Sequence, residues 1–295
     1  MNNKTSTSDR FGGCLFLQDW KHYLKVDEAY FSELKCCIKY SDIVDSESTL
    51  TVDIIDKNTV NHLLNVLKVH VGKLLKVGIL NSTLDYGVVE SITKWSIKLK
   101  LSENFRLFPP VIEKPVVDLV VGIPRPKSLD KLLQYSASIG VGNIDLICSS
   151  RVEKSYLASH KLSKESINKS LILGLQQGVC TLMPEVNMYL SMGEYERACK
   201  QKDYAMKLIA HPDSEETLGS LKLNTHVKGP ILVAIGPEGG WLDHELTYYK
   251  KLGFVQFKLT DRILRTEVAA AAILSQMSLL LNDTTLRNGL EPAKR

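Results

Sequence analysis

The chain has 295 residues, 44% hydrophobic and 24% charged, which exceeds the usual size of one domain and supplies enough apolar side chains to fill two cores. Its formal net charge of +4 suits RNA binding and is equally common among ordinary enzymes, so charge excludes neither. Six cysteines, at 14, 36, 37, 148, 180 and 199, form no CxxC pair and fit no familiar zinc spacing, which argues against a cysteine metal site and for reduced intracellular thiols.

In chain order, residues 1 to 12 are polar and read as disordered, without the apolar core of a secretory signal, and no apolar run approaches a membrane span. A cytoplasmic protein is the expectation. The two basic residues among the first ten give little support to the alternative, a mitochondrial or plastid presequence. Residues 14 to 17 read as a strand, and 18 to 50 fit no clean period. Residues 50 to 55 alternate like a strand, and 61 to 70 carry Leu63, Leu64 and Leu67 at helical spacing. Residues 74 to 80, 85 to 92 and 95 to 101 are short strands parted by turn residues, the pattern of a small β-barrel.

A proline-punctuated stretch from 108 to 115 separates this region from the next, so the first domain is set at 1 to 108, a linker at 109 to 115, the second domain at 116 to 285 and a tail at 286 to 295. Beyond the linker the pattern alternates. Strands are expected at 116 to 121, 144 to 148, 205 to 210, 231 to 235 and 254 to 259, and helices at 127 to 139, 162 to 179, 242 to 252 and from 266. This predicts an α/β fold with a parallel sheet covered on both faces.

Two stretches stand out. The apolar run 231 to 235 breaks into Gly236, Pro237, Glu238, Gly239 and Gly240; the strand ending near Leu259 breaks into a polar loop carrying Asp261, Arg262 and Arg265. Ligands of open α/β sheets lie outside the carboxyl ends of the strands, and glycines let a backbone approach a bound molecule. The bland reading of the first loop, a turn with no ligand, is about as common. A nucleotide site is disfavoured, because no GxGxxG follows an early strand and the chain holds no GxxxxGK[ST].

Gly236-Pro-Glu-Gly-Gly240 followed by Arg262-Ile-Leu-Arg-Thr-Glu267 resembles the C-terminal signature of the 16S (small-subunit) ribosomal RNA uridine-N3 methyltransferases of the SPOUT superfamily. Further likeness lies in Gly122-Ile-Pro-Arg-Pro-Lys127, Ala137-Ser-Ile-Gly-Val-Gly142, Leu175-Gln-Gln-Gly178 and Met183-Pro-Glu-Val186, and in His62-Leu-Leu-Asn-Val-Leu-Lys68 before a turn at Gly72-Lys73. The chain departs from the pattern at Thr260-Asp261, where Gly-Pro is usual, at Val268 for Thr, and at Lys68 for Arg, which keeps the charge without the planar fork.

The resemblance implies a PUA-like barrel for RNA binding, then a SPOUT parallel sheet with a C-terminal trefoil knot, and a homodimer. It implies methylation at N3 of a uridine with S-adenosyl-L-methionine as cofactor. Cofactor contacts would come from His211, Ile235, Gly236, Pro237, Glu238, Gly239, Gly240, Leu259, Arg262, Ile263 and Leu264. Small-subunit ribosomal RNA, free or in the assembled subunit, would meet Lys68, Lys73, Lys76, Lys94 and Arg125. Arg265 is the candidate catalytic residue, a cation able to stabilise charge as N3 loses its proton, with Arg262 and Glu267 as alternatives for substrate or loop organisation. Each of these charged residues has a plainer reading, a loop-stabilising ion pair or a solvated lysine. Two other functions remain open: a SPOUT enzyme acting on another RNA position such as a ribose 2'-hydroxyl, and a ribosome-associated RNA binder without catalysis.

Overall fold

The computed structural model describes residues 36–46, 49–106, 114–221 and 229–288. The segment expected to be disordered at 1 to 12, the strand expected at 14 to 17, residues 18 to 35 of the unplaced stretch, residues 109 to 113 of the linker and residues 289 to 295 of the tail fall outside them. The part of the unplaced stretch that is described supplies two strands, β1 (Cys36–Ile38) and β2 (Ile43–Ser46). They complete a sheet with β3 (Thr49–Ile54), β4 (Leu74–Ile79), β5 (Leu84–Ile92) and β6 (Ile97–Leu101), in the order β1-β4-β5-β6-β3-β2. Only β1, parallel to β4, breaks the antiparallel pattern. The apolar positions of these strands, Val52, Val77, Val89 and Leu99 among them, bury on one core.

The helix expected over residues 61 to 70 is shifted towards the N-terminus and is α-helical only in its first half. Asp56, whose carboxylate accepts from Thr59 N at 2.8 Å, starts α1 (Lys57–Asn61), and the chain then widens into a π-helical turn, His62–Val66. That turn directs Leu63 into the core, and Lys68, at φ +48°, stops it. The strand expected from residue 95 starts at Ile97, because Thr93 Oγ1 accepts from Trp95 N and Ser96 N and folds 93 to 96 into a tight turn.

In the second region β7 (Val117–Gly122), β8 (Asn143–Ile147), β9 (Glu185–Tyr189), β10 (Met206–Ala210), β11 (Ile231–Ile235) and β12 (Val255–Phe257) form an all-parallel sheet, ordered β12-β10-β11-β7-β8-β9. Every residue of β7 and β11 is buried, as expected of strands covered on both faces. Leu119, Val121, Val233 and Ile235 pack with α2 (Pro126–Ile139), α4 (Lys164–Gly178) and α7 (Thr266–Asn288). Val120, Leu232 and Ala234 point the other way, to Tyr195 and Cys199 of α5 (Met192–Cys199) and Tyr249 of α6 (Asp243–Lys251). One short helix, α3 (Lys154–Leu157), follows β8. None of the described helices is long and apolar enough to cross a membrane.

The two sheets lie within one compact unit, and a turn of the first is pinned to the second. Between β4 and β5, Asn81 adopts φ +58°, donates its backbone N–H to Thr181 O at 2.8 Å and accepts from Met183 N through Oδ1 at 2.8 Å; Thr181 Oγ1 donates to Ser82 O at 2.6 Å. Burial beside Cys180 pushes the Cys37 thiol up to about 12, so it stays uncharged in this contact. Asn81→Ala removes one hydrogen bond and places a Cβ residue of lower tolerance in the left-handed region. The expected loss is about 2 kcal/mol, and Asn81→Gly, which keeps the backbone easy, should lose about half of that. Urea denaturation midpoints of the three proteins check both values.

Candidate active site

Parallel strands deliver three loops to one edge of the second sheet. After β10 come His211 and Pro212; after β11 the glycine loop; after β12 the segment 258–265 leading into α7. A single cleft is lined by all three: by Ala210, His211 and Pro212, by Ile235 to Glu238 with Gly240 and Trp241, and by Leu259, Thr260, Ile263, Leu264 and Thr266, with Arg262 and Ala269. The cleft therefore sits outside the carboxyl ends of β10, β11 and β12, on one side of β7, and the carboxyl ends of the strands are where open α/β sheets hold ligands.

Each loop is fixed by identifiable bonds. Gly122, the last residue of β7, lies so close to Pro237 that a Cβ there would stand 2.7 Å from Pro237 N and run into the ring, so only glycine lets the glycine loop cross β7. The Glu238 carboxylate accepts from Arg125 N at 2.9 Å and ties the loop to the start of α2. Gly240 N donates to Pro237 O at 2.8 Å, with Gly240 at φ +71°. Thr266, at the first turn of α7, donates its hydroxyl to Gly236 O at 3.2 Å, joining the second and third loops. His211 N donates to Phe257 O at 3.0 Å, joining the first and third.

The replacement of the usual Gly-Pro leaves a closed loop. Thr260 Oγ1 accepts from Arg262 N at 2.9 Å, and Asp261 pairs with Lys258 at 2.8 Å. Hydrogen bonding to the Lys258 ammonium, and its charge, hold the Asp261 carboxyl below the usual carboxylate range.

The structure brings ten of the eleven expected cofactor residues to this cleft: His211, Ile235, Gly236, Pro237, Glu238, Gly240, Leu259, Arg262, Ile263 and Leu264. Gly239 is outside its lining; a Cβ at Gly239 would meet Arg151 Cβ and Cδ at 3.1 Å. Arg265 is exposed between Leu264 and Thr266, and its carbonyl accepts from Val268 N and Ala269 N at the start of α7. Glu267 is buried, with Oε2 lacking a hydrogen-bond partner among the described residues. Of the expected RNA contacts, Lys68 and Lys94 are exposed, Lys94 with Nζ 4.8 Å from the Trp95 ring centre, Lys76 is half-buried, and Lys73 donates to Leu67 O at 2.8 Å. Arg125 is exposed on the loop that Glu238 holds.

Sequence reasoning missed Arg151, Glu245, Trp241 and Thr266. Glu245 is buried; it accepts from Leu242 N at 2.8 Å and from Ser150 N at 2.9 Å, a capping arrangement that also captures the loop after β8. The spacing of Leu242 and Glu245 carried half of that signal, but a partner 95 residues away carried none.

Residues 112–278 match the family model described as the RNA methyltransferase domain. The chain is 31% identical over 220 residues to "Ribosomal RNA small subunit methyltransferase E" of Treponema pallidum (strain Nichols), covering 72% of this chain and 79% of that protein. It is 26% identical to "Ribosomal RNA small subunit methyltransferase E 1" of Borreliella burgdorferi, over 74% of this chain and 90% of that one. Among solved structures, a ribosomal RNA small subunit methyltransferase E from Neisseria gonorrhoeae bound to S-adenosyl methionine superposes with a TM-score of 0.65 at 25% identity, over 83% of this chain and 97% of the other. With its glycine loop, its 258–265 loop and its parallel sheet all in place, this chain belongs to the ribosomal RNA small subunit methyltransferase E family.

Proposed function

We propose that this chain is an S-adenosylmethionine-dependent methyltransferase acting on N3 of a uridine in small-subunit ribosomal RNA. The observation that carries the reading is the convergence of three cross-linked loops on one cleft in a chain of this family. The residues fit the cofactor. Ile235, Leu259, Ile263, Leu264 and Ala269 offer apolar wall, Gly240 adds no side chain, and Trp241 lines the cleft with its indole N–H buried and without a hydrogen-bond partner among the described residues.

When bound, the cofactor supplies an electrophilic methyl group. The chain's part is to hold the reactants in attack geometry, which can supply much of the rate. Loops already cross-bonded, as Gly236 is to Thr266 and Glu238 to the Arg125 amide, need little reordering to do so. Arg265 is exposed and adjacent in sequence to two residues that line the cleft, which supports the reading that its guanidinium faces the uracil and stabilises the negative charge left as N3 loses its proton to water.

Three finer features belong to the same proposal. A trefoil knot is supported by the path of the chain, which runs out to β12 beyond β10 and returns past Gly236 to pack α7 on α2 and β11. A PUA-like barrel for RNA is supported by the mixed first sheet with its own core and by the lysines on its loops. A homodimer is supported by apolar side chains left exposed on α7, Val268 and Leu279, and by Ile263, 91% exposed; sedimentation equilibrium reads it directly.

Mass mapping of nucleosides in small-subunit ribosomal RNA incubated with the protein and cofactor should show 3-methyluridine, and a 2'-O-methyl product would replace this assignment. Arg265→Ala should lower kcat by about 100-fold with little change in cofactor affinity, the lower end for a preorganised donor because solvent screens an exposed charge. Arg265→Lys should recover only part of the loss. Loss of cofactor binding with normal single-turnover chemistry at saturation would make Arg265 a cofactor clamp. For the first sheet, Lys68→Ala and Lys94→Ala should each reduce the magnitude of the salt slope of RNA binding by about 0.7 to 0.9 if each meets a phosphate. An unchanged slope removes that lysine from the interface.

A further inference from the structure

We propose that Arg151, on the loop after β8, is a positioning residue that braces the glycine loop in its cofactor-binding shape before the cofactor arrives; this rests on the reading of the cleft as an S-adenosylmethionine site. Four of the five residues from Gly236 to Gly240 line the cleft, and the fifth, Gly239, does not. Gly239 instead faces the Arg151 side chain, whose Cβ and Cδ would each lie 3.1 Å from an added methyl group. Arg151 Nη1 donates to the Gly239 carbonyl. Residue 239 is therefore glycine to admit an arginine from outside the cleft, and the charge-assisted bond to its carbonyl fixes the peptide on which Gly240 turns.

A brace works only if its own footing is firm, and this one has three anchors. Ser150 N donates to Glu245 Oε1 at 2.9 Å, and the buried Glu245 carboxylate is held in turn by Leu242 N. Ser150 Oγ lies 3.3 Å from His244 Nε2. On the other side, Val152 is buried in the sheet's core and its N–H donates to Ser149 O at 3.1 Å. Arg151 thus projects from a segment fixed on both flanks, while the glycine loop spans Gly236 to Trp241 with one internal backbone hydrogen bond, Gly240 N to Pro237 O. Pre-ordering such a loop lowers the entropy lost on binding and so raises affinity without any contact to the ligand.

The test uses the full-length protein and its Arg151→Ala, Arg151→Gln and Gly239→Ala variants, together with the Arg151→Ala/Gly239→Ala double variant. Calorimetry with S-adenosylmethionine should show Kd raised roughly tenfold in Arg151→Ala, with kcat at saturating cofactor within about twofold of wild type, since a brace acts on binding and not on the chemical step. Gly239→Ala should cost less in the Arg151→Ala background than alone, because the Cδ it presses on is gone. Hydrogen exchange of the peptide spanning residues 236–242 in cofactor-free protein should speed up in Arg151→Ala and not in Arg265→Ala. Wild-type Kd and exchange in Arg151→Ala overturn the proposal, as does an effect confined to RNA affinity, which would make Arg151 a substrate contact. If Arg151→Ala does not fold, Arg151→Gln, which keeps most of the stem, is read in its place by the same two measurements. Absence of cofactor uptake by the wild-type protein overturns the cofactor reading, while the exchange comparison still decides whether Arg151 braces the loop.

Discussion

The site depends on a side chain that is missing. With any Cβ at Gly122, Pro237 could not sit over the end of β7, the glycine loop could not cross toward α2, and Glu238 would lose its reach to the Arg125 amide. Once the loop takes that path, the remaining bonds follow from proximity. Thr266 finds the Gly236 carbonyl, which sets where α7 begins, and α7 then packs on α2, the helix that the Gly122 loop leads into. A steric condition at one backbone position thereby fixes both the cleft and the helix that returns beside it.

Much of this was legible in the sequence because it rests on local signals. The apolar run of β11, and that of β7 broken only by Asp118, identify buried parallel strands, and the leucines at 129, 132 and 133 identify α2. The breaks after 235 and 259 marked two of the three cleft loops, and ten of the eleven residues named for the cofactor line the cleft. What stayed hidden depends on contacts distant in sequence. The strands β1 and β2 are only 3 and 4 residues long, too short for a period, and β1 is a strand only because β4 runs beside it. The π-helical turn after α1 has the same leucine spacing as a regular helix until the core selects Leu63. Arg151 gave no signal because its partner lies 88 residues away, and Glu245 gave only its local half because Ser150 lies 95 residues away. Gly239 was expected to face the ligand, and a Cβ added there would lie 3.1 Å from Arg151 Cβ and Cδ, a neighbour that the local sequence did not signal.

Buried polar groups away from the cleft stiffen the sheet that presents it. Asp118, near the start of β7, accepts from Asn143 N at 2.8 Å, Asn143 Nδ2 at 2.9 Å and Tyr204 O–H at 3.0 Å, so one carboxylate fastens the first turn of β8 and the approach to β10 to the central strand. Burial raises the Asp145 carboxyl, opposed by the Asn187 amide that bonds it across to β9. Both carboxylates are buried polar groups with hydrogen-bond partners, the condition under which such groups specify one register.

The Asn81 turn makes the molecule a caliper. Its jaws, the first sheet and the cleft-bearing sheet, are set by hydrogen bonds to Thr181 and Met183, on the segment joining α4 to β9, and α4 is packed against α2, which begins at the glycine loop. The gap is therefore fixed by a chain of packed and bonded parts, independent of the length of peptide between the sheets. Any partner that reached both sheets would meet a spacing set by these bonds, and a change at Asn81 would alter that spacing without touching either sheet's own core.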